Sequence, residues 1–214
     1  MMITPVQIEK LRVKVADILS EKRMKHVFSV EDMAFRLGLL YFFPDDEALL
    51  LLRAAALLHD VTKELSDEAQ LALLESYSVK PLPEELASMP TIHALTGALV
   101  IPEKYPEFAD ERVIDAVRYH TTGRAGMSLF DKIIFLADYI DETRAYPSFI
   151  ALRNDFFAAK PEDMMYEERI RHLDRAAIRS IDDTLAHLRE KGRAIHPATL
   201  EAYDDLKARL ADEA

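Results

Sequence analysis

The stretch LRAAALLHDVTKEL, residues 52–65, decides how the rest of the chain is read. A run of alanine and leucine ends on two adjacent polar residues, His59 and Asp60, with Lys63 three places later. Apolar residues recurring in steps of three and four make a core-facing helix. Four-residue spacing puts His59 on the stripe of Leu51 and Ala55, and Asp60 on the stripe of Leu52 and Ala56. A buried ionised carboxylate is costly unless it is paired or coordinates a metal. Neighbours on a helix point about 100° apart, so His59 and Asp60 share one ligand only near a helix end or a distortion. The helix is expected to end near Asp60, its last turn serving as a ligand platform.

Two more polar residues lie on apolar faces. His26 begins a helix whose inward positions are Val30, Met33, Ala34 and Leu37, and Asp138 continues Phe130 and Ile134 inside LFDKIIFLADYI. Imidazole and carboxylate together suit iron, manganese, zinc or nickel. Taken singly, each residue has an ordinary reading: a buried histidine usually finds a protein partner, and Asp138 alone would pair with an arginine. The ordered set His26, His59-Asp60, Asp138 is what points to a metal.

Composition sets the frame. The 214 residues suit one domain, here 1–214, with a core over about 20–145 and C-terminal helices over about 147–212 packed on it. Half the residues are hydrophobic and five are glycine, which permits a sizeable helical core. Against 38 acidic residues stand 27 basic ones, a net charge of −11, so broad nucleic-acid binding is not expected. A polyanionic small molecule in a local basic pocket remains compatible with that charge. Without cysteine there is no disulfide or thiolate ligand. MMITPVQIEKLRVKV lacks the apolar core of a signal peptide, and EALLLLRAAALLHD is too short and too interrupted by Arg53 to span a bilayer. A soluble, cytoplasmic, all-α protein without membrane partners is expected.

Helical periodicity runs throughout, with no convincing strand. Thr4-Pro5 opens a helix through about Glu21, and others are expected near 24–42, from FPDDEALLLL to Asp60, and from Ser66 through SDEAQLALLESY. VKPLPEELASMP reads as a proline-punctuated connection. Further helices are expected near 91–100, 110–120, 128–142, 147–158, 163–190 and 197–212. Gly123 is expected to end a helix in a left-handed conformation, with Arg124 solvated. His172 and His187 read as surface or packing residues on a mostly solvated, charge-alternating helix.

The order H…HD…D resembles the HD-domain metallophosphohydrolases, an all-helical superfamily. RMKHVFSVEDMA, AALLHDVTKE, HALTGALV and VRYHTTGRAGMSLFDKIIFLADYIDETR narrow the resemblance to the YqeK family, over roughly residues 20–205. That resemblance implies metal ligation by His26, His59, Asp60 and Asp138. It implies that His93 and His120 face the site, contacting phosphate or completing a second metal position. Arg23, Lys63, Thr121 and Arg144 match positions used around the nucleotide phosphates, and AIHPATLEAY resembles a segment closing over the nucleoside, through Ile195, His196 and Thr199. Asp60, His93 and His120 are the implied catalytic residues. Val27 stands where the family often has serine or threonine, and DYIDETR replaces a more usual E-P-x-R spacing while keeping Arg144.

The implied activity is symmetric hydrolysis of diadenosine tetraphosphate to two ADP. The implied cofactor is a divalent or trivalent transition metal, iron first, with manganese, nickel, cobalt or zinc also suited to these ligands. LGLLYFF serves either the core or a homodimer interface, and the resemblance implies the homodimer. Three other readings stand beside this one. The same metal could serve another nucleotide, such as a nucleoside monophosphate or a cyclic nucleotide. A non-catalytic nucleotide or metal sensor would regulate a partner. A purely structural helical protein would hold no metal. Lys63 and Arg144 also have plain readings, as cations at helix C-termini.

Overall fold

The structure is a computed structural model that describes residues 3–212. Thr4 accepts a hydrogen bond from the Gln7 amide, with the Gln7 side chain reaching back, and Pro5 pre-sets the first turn of α1 (Pro5–Ala16). This helix stops short of Glu21. Ser20 caps a new helix, α2 (Glu21–Phe42), which therefore begins earlier than periodicity alone suggests. Glu64 fixes that cap, accepting from Ser20 N at 2.7 Å and from Ser20 Oγ at 2.5 Å. The start of α2, and with it His26, is thereby tied to the segment that follows His59 and Asp60.

Asp45 caps α3 (Asp46–Leu58), the central helix of the bundle, whose residues Ala54 to Leu58 are wholly buried. It is packed by α1, α2, α7 and α8. Gly38 lets α2 and α3 approach closely, since a Cβ there would stand 2.6 Å from Leu52 Cδ1. Next come α4 (Asp67–Ser76), capped by Ser66, and α5 (Pro83–Ala87), one helical turn inside the proline-punctuated connection. After a 3-10 turn at Met89–Thr91 run α6 (Ile92–Lys104), α7 (Glu111–Tyr119) and α8 (Leu129–Ile140). Gly123 does take a left-handed conformation, φ +66°, beyond the end of α7.

Three helices complete the chain: α9 (Pro147–Ala158), α10 (Tyr166–Glu190) and α11 (Pro197–Asp212). Among the described residues there is no strand, and no helix is long and apolar enough to cross a membrane. The main core draws on α1, α2, α3, α6, α7 and α8, with Leu152, Phe156 and Leu173 from the C-terminal helices. A smaller cluster of Met127, Phe135, Ile181, Leu185, Ala202 and Leu206 seats α10 and α11 on α8.

Two surface expectations need correction. Arg124 is not simply solvated: it donates to Asp131 and to Asp115 and lies over the Tyr119 ring. Both carboxylates are brought to it by the turn between α7 and α8. The charged face of α10 is likewise only partly solvated, because its length carries polar residues against α2 and α8. There Asp174 pairs with Lys132 at 2.5 Å with both buried, and Arg169 donates to the carbonyls of Leu40, Pro161 and Met164. His172 packs on Phe156 and bonds its carbonyl, while His187 is exposed.

Candidate metal centre

Ending α3 at Leu58 lets the chain turn sharply from His59 to Lys63, so both side chains of the dipeptide reach one place. His59 Nδ1 lies 2.6 Å from Ala56 O. A carbonyl only accepts, so Nδ1 carries the proton and Nε2 presents its lone pair. Nε2 is buried and has no hydrogen-bond partner. The first turns of α2 bring in His26, whose Nε2 is also buried and makes no hydrogen bond. Behind it, Nδ1 faces Asp141 Oδ2 and Thr143 Oγ1, each at 3.3 Å. The last turn of α8 supplies Asp138.

The donor atoms surround a common point. His26 Nε2 is 3.0 Å from Asp138 Oδ1 and 3.7 Å from Asp60 Oδ2, and His59 Nε2 is 3.9 and 3.5 Å from the same two atoms. Donors bound about 2.1 Å from one ion stand roughly 3 to 3.5 Å apart, so the spacing fits a cation better than direct hydrogen bonding. Two imidazole Nε2 atoms opposite two carboxylates are what such an ion requires. Three overlapping groups can each hold a cation: His26 with His59 and Asp60, His26 with Asp138 and Asp141, and Asp60 with His93 and His120.

His93 and His120 lie beside Asp60, on α6 and at the end of α7. His93 Nε2 is 3.1 Å from Asp60 Oδ1, and His120 Nε2 is 3.7 Å from the same oxygen. Lys63 Nζ donates to Pro90 O at 2.9 Å and lies 3.1 Å from His93 Nδ1. His93 Nδ1 is also 3.0 Å from Pro90 O, so both of its ring nitrogens face an acceptor, the Pro90 carbonyl on one side and the Asp60 carboxylate on the other. His120 Nδ1 donates to Val117 O at 2.7 Å, so its Nε2 is an acceptor facing His93 Nε2 at 3.1 Å. Beneath His93, Thr62 Oγ1 donates to its carbonyl at 2.9 Å and meets Thr96, while Gln70 Nε2 donates to Thr62 O at 2.6 Å. This closed polar network fixes His93 against the His59–Lys63 turn.

Electrostatics follow from this crowding. Burial would lower His26, but the carboxylates of Asp138 and Asp141 against its ring outweigh it and lift it to about 9 in the absence of metal. Burial would raise Asp60; the imidazoles packed around it, His59 first and then His120 and His93, hold it well below the ordinary carboxylate value. Asp138 is also held low, against its burial, chiefly by Arg144. Burial pulls His93 down to about 4, helped by its neighbours His120 and Lys63. It also lowers Lys63, against the attraction of Asp60.

Arg23 and Arg144 guard the mouth. Arg23 pairs with Asp60 Oδ2 at 2.5 Å; Arg144 pairs with Asp138 and also donates to its carbonyl at 2.8 Å, so its helix-capping role and its site role coexist. They line a cleft of about 970 Å³ with Lys22, Lys25, His26 and Thr143, a local basic entrance in an acidic protein. Thr121 follows His120, with a buried Oγ1 that has no hydrogen-bond partner. Ile195, His196 and Thr199 do not line this cleft. Ile195 packs on the smaller core cluster, Thr199 is buried, and His196 lies among Arg118, Glu85 and Glu84, lowered by burial first.

A family model for the HD domain matches residues 23–143, more than half the chain. The chain belongs to the HD-domain family. Two relatives are each named symmetrical bis(5'-nucleosyl)-tetraphosphatase. The one from Halalkalibacterium halodurans is 34% identical over 192 residues, 88% of this chain and 90% of the relative. The one from Bacillus subtilis is 30% identical over 188 residues, 87% and 90% of the two chains. A crystal structure from Clostridium acetobutylicum, described as a predicted HD superfamily hydrolase involved in NAD metabolism, superposes with a TM-score of 0.78 at 32% identity. The match covers 94% of this chain and 97% of that one. Within the HD-domain family the chain groups with the symmetrical tetraphosphatases.

Sequence reasoning missed several residues here. Asp141 and Thr143 orient His26, and the signal was a second acid one turn after Asp138. Thr62 and Thr96 were legible only as a polar pair adjoining HD and one turn after His93; Gln70 carried no local sign. Lys22, Lys25 and Glu64 join the cleft solely through packing.

Proposed function

We propose that the chain hydrolyses diadenosine tetraphosphate symmetrically to two ADP, using a metal held by His26, His59, Asp60 and Asp138. The observation that carries this reading is the pair of buried, unpartnered imidazole Nε2 atoms facing two ionised carboxylates at the foot of a basic cleft. Iron is the proposed metal, and manganese, nickel, cobalt or zinc would suit the same donors. A second ion at Asp60, His93 and His120 would use the neighbouring donor group. When bound, the metal supplies Lewis acidity toward a phosphoryl oxygen and a water of lowered pKa.

The chain's own groups do the rest. Arg144 and Arg23 each hold a ligand carboxylate and can turn the rest of the guanidinium fork to phosphate oxygens, neutralising charge that grows in the transition state. Lys63 adds a cation beside His93, whose Nε2 stands 3.1 Å from Asp60 Oδ1. His120, fixed through Nδ1, presents Nε2 as a base that would take the proton lost by the attacking water and pass it to the departing ADP oxygen. Thr121 Oγ1 has a free hydrogen bond to give a phosphate. Ile195, His196 and Thr199 belong to this proposal as a nucleoside-side segment that would have to close toward the cleft.

A cytoplasmic setting and a homodimer complete the reading. Within LGLLYFF, Leu37 and Tyr41 are core residues, whereas Leu39 and Phe43 are exposed at 41% and 72% and, with Phe35, offer the dimer face. Light scattering on the purified protein tests that state. The reaction is tested by incubating diadenosine tetraphosphate with the metal-analysed protein and resolving the nucleotides. ADP alone is expected; ATP with AMP would overturn the symmetric reading.

A further inference from the structure

A second recess opens between α8, α9 and α10. Its walls include Tyr139, Tyr146 and Phe149, its polar edge Ser148, Asp183 and Thr184, and its volume is about 200 Å³. Tyr139 and Tyr146 meet Phe149 edge-on, with centroids 4.4 and 5.6 Å away and planes inclined at 67° and 76°. The three rings therefore form a corner in the wall of the recess. Tyr139 Oη donates to Asp183 Oδ2 at 3.3 Å, and a carboxylate has more acceptor sites than this single bond uses. Tyr146 is 72% exposed, a large aromatic ring held in water.

Arg144 joins this recess to the metal cluster. Its guanidinium pairs with Asp138 and lies 5.8 Å from the Phe149 ring centroid. The basic cleft beside it has no phenyl or phenol ring among its lining residues, only charged and small polar ones and His26. The two spaces thus divide the chemistry of a nucleotide, charge on one side of Arg144 and aromatic surface on the other. A dinucleoside tetraphosphate cut at its centre leaves one ADP half on each side of the reacting bond, and each half carries a base that needs its own place.

The geometry points to the recess of Tyr139, Tyr146 and Phe149 as a base subsite that takes one purine of the substrate, and of the ADP product, with Asp183 accepting from the base's exocyclic amine. This rests on the tetraphosphatase reading above. Aromatic rings stack on bases largely without regard to sequence, so the recess supplies affinity and Asp183 supplies the preference for an amino-bearing base.

Calorimetric titration of the purified full-length protein, carrying its own metal, tests this with two probes, ADP and inorganic pyrophosphate. Tyr146→Ala is expected to weaken ADP about tenfold and to leave pyrophosphate unchanged, while Tyr146→Phe binds both as the wild type does. Because Tyr146 is exposed, the variant should fold; equal Tm values would check that. Unchanged ADP affinity in Tyr146→Ala, no ADP binding by the wild type, or an equal loss for pyrophosphate would each overturn the subsite. None of these readings needs turnover. A wild-type protein that binds ADP through Tyr146 but makes no ADP from diadenosine tetraphosphate would overturn the reaction and leave the subsite standing.

Discussion

Lys132 and Asp174 meet at 2.5 Å between α8 and α10, and Glu31 is held by Arg12 at 3.0 Å and Arg53 at 2.8 Å. In these places each buried charge is closed by a countercharge of the same chain. Around Asp60 the arrangement differs. His59 Nε2 approaches Asp60 and Asp138 only to 3.5 and 3.9 Å, and neither it nor His26 Nε2 makes a hydrogen bond. In the first pattern a permanent cation of the same chain stands within 3.0 Å of each buried carboxylate. The second is spaced for something between the groups, and the protein tolerates it because Arg23, Arg144 and Lys63 supply nearby positive charge.

That contrast breaks first at turnover. Asp60→Ala should abolish metal retention and lower kcat by at least about a thousandfold, roughly 4 kcal/mol, while the melting temperature stays near that of the metal-stripped wild type. Metal analysis alongside the product assay checks it, and full activity in the variant would remove Asp60 from the site. The closed pair should behave in the opposite way. Asp174→Ala strands the Lys132 ammonium in the core and should cost roughly 3 to 4 kcal/mol by denaturant unfolding, with activity retained at low temperature. Replacing both residues with apolar ones of similar volume should restore most of that stability.

The pH dependence sharpens the comparison further. Without metal, His26 is raised from 6.5 to about 9, so folding favours its protonated form. The stability this lends is complete below pH 6.5 and is lost as pH rises to about 9, about 3 kcal/mol in all. Metal binding must displace that proton, so metal should stabilise the protein more at pH 9 than at pH 6.5. Melting curves of stripped and loaded protein at both values check this, with His26→Ala expected to flatten the difference. Asp60 and Asp138, held low, lose their contribution only below the ordinary carboxylate range and do not enter this window.

The smallest effect concerns the network under His93. Thr96→Val leaves Gln70 and Thr62 short of a partner and should cost about 1 to 2 kcal/mol of stability. It should reduce kcat more than it raises KM, since His93 would lose its fixed position; a change in KM alone would argue against a positioning role.

The helices were legible because their signals are local. Apolar spacing, capping residues Thr4, Ser20, Asp45 and Ser66, and prolines at first turns act within a few residues of themselves. Where two local signals competed, as between the end of α1 and the Ser20 cap, periodicity alone placed the boundary too far along. The ordered motif around His26, His59, Asp60 and Asp138 was readable for a related reason: each residue extends an apolar stripe of its own helix. Gln70, Lys22 and Lys25 gave no comparable sign, because their roles depend on elements distant in sequence.

By itself, then, the sequence determined an all-α bundle, its acidic surface, the absence of any thiolate ligand and the polar residues aimed inward. Tertiary structure alone decided that Asp141 and Thr143 stand behind His26, that Lys63 lies against His93, and that Arg144 faces both a carboxylate and an aromatic corner. The reason is the range of the forces involved. Helix formation is settled by contacts three and four residues apart, whereas distances of 3 to 4 Å between side chains of α2, α3, α6, α7 and α8 exist only once the core has packed.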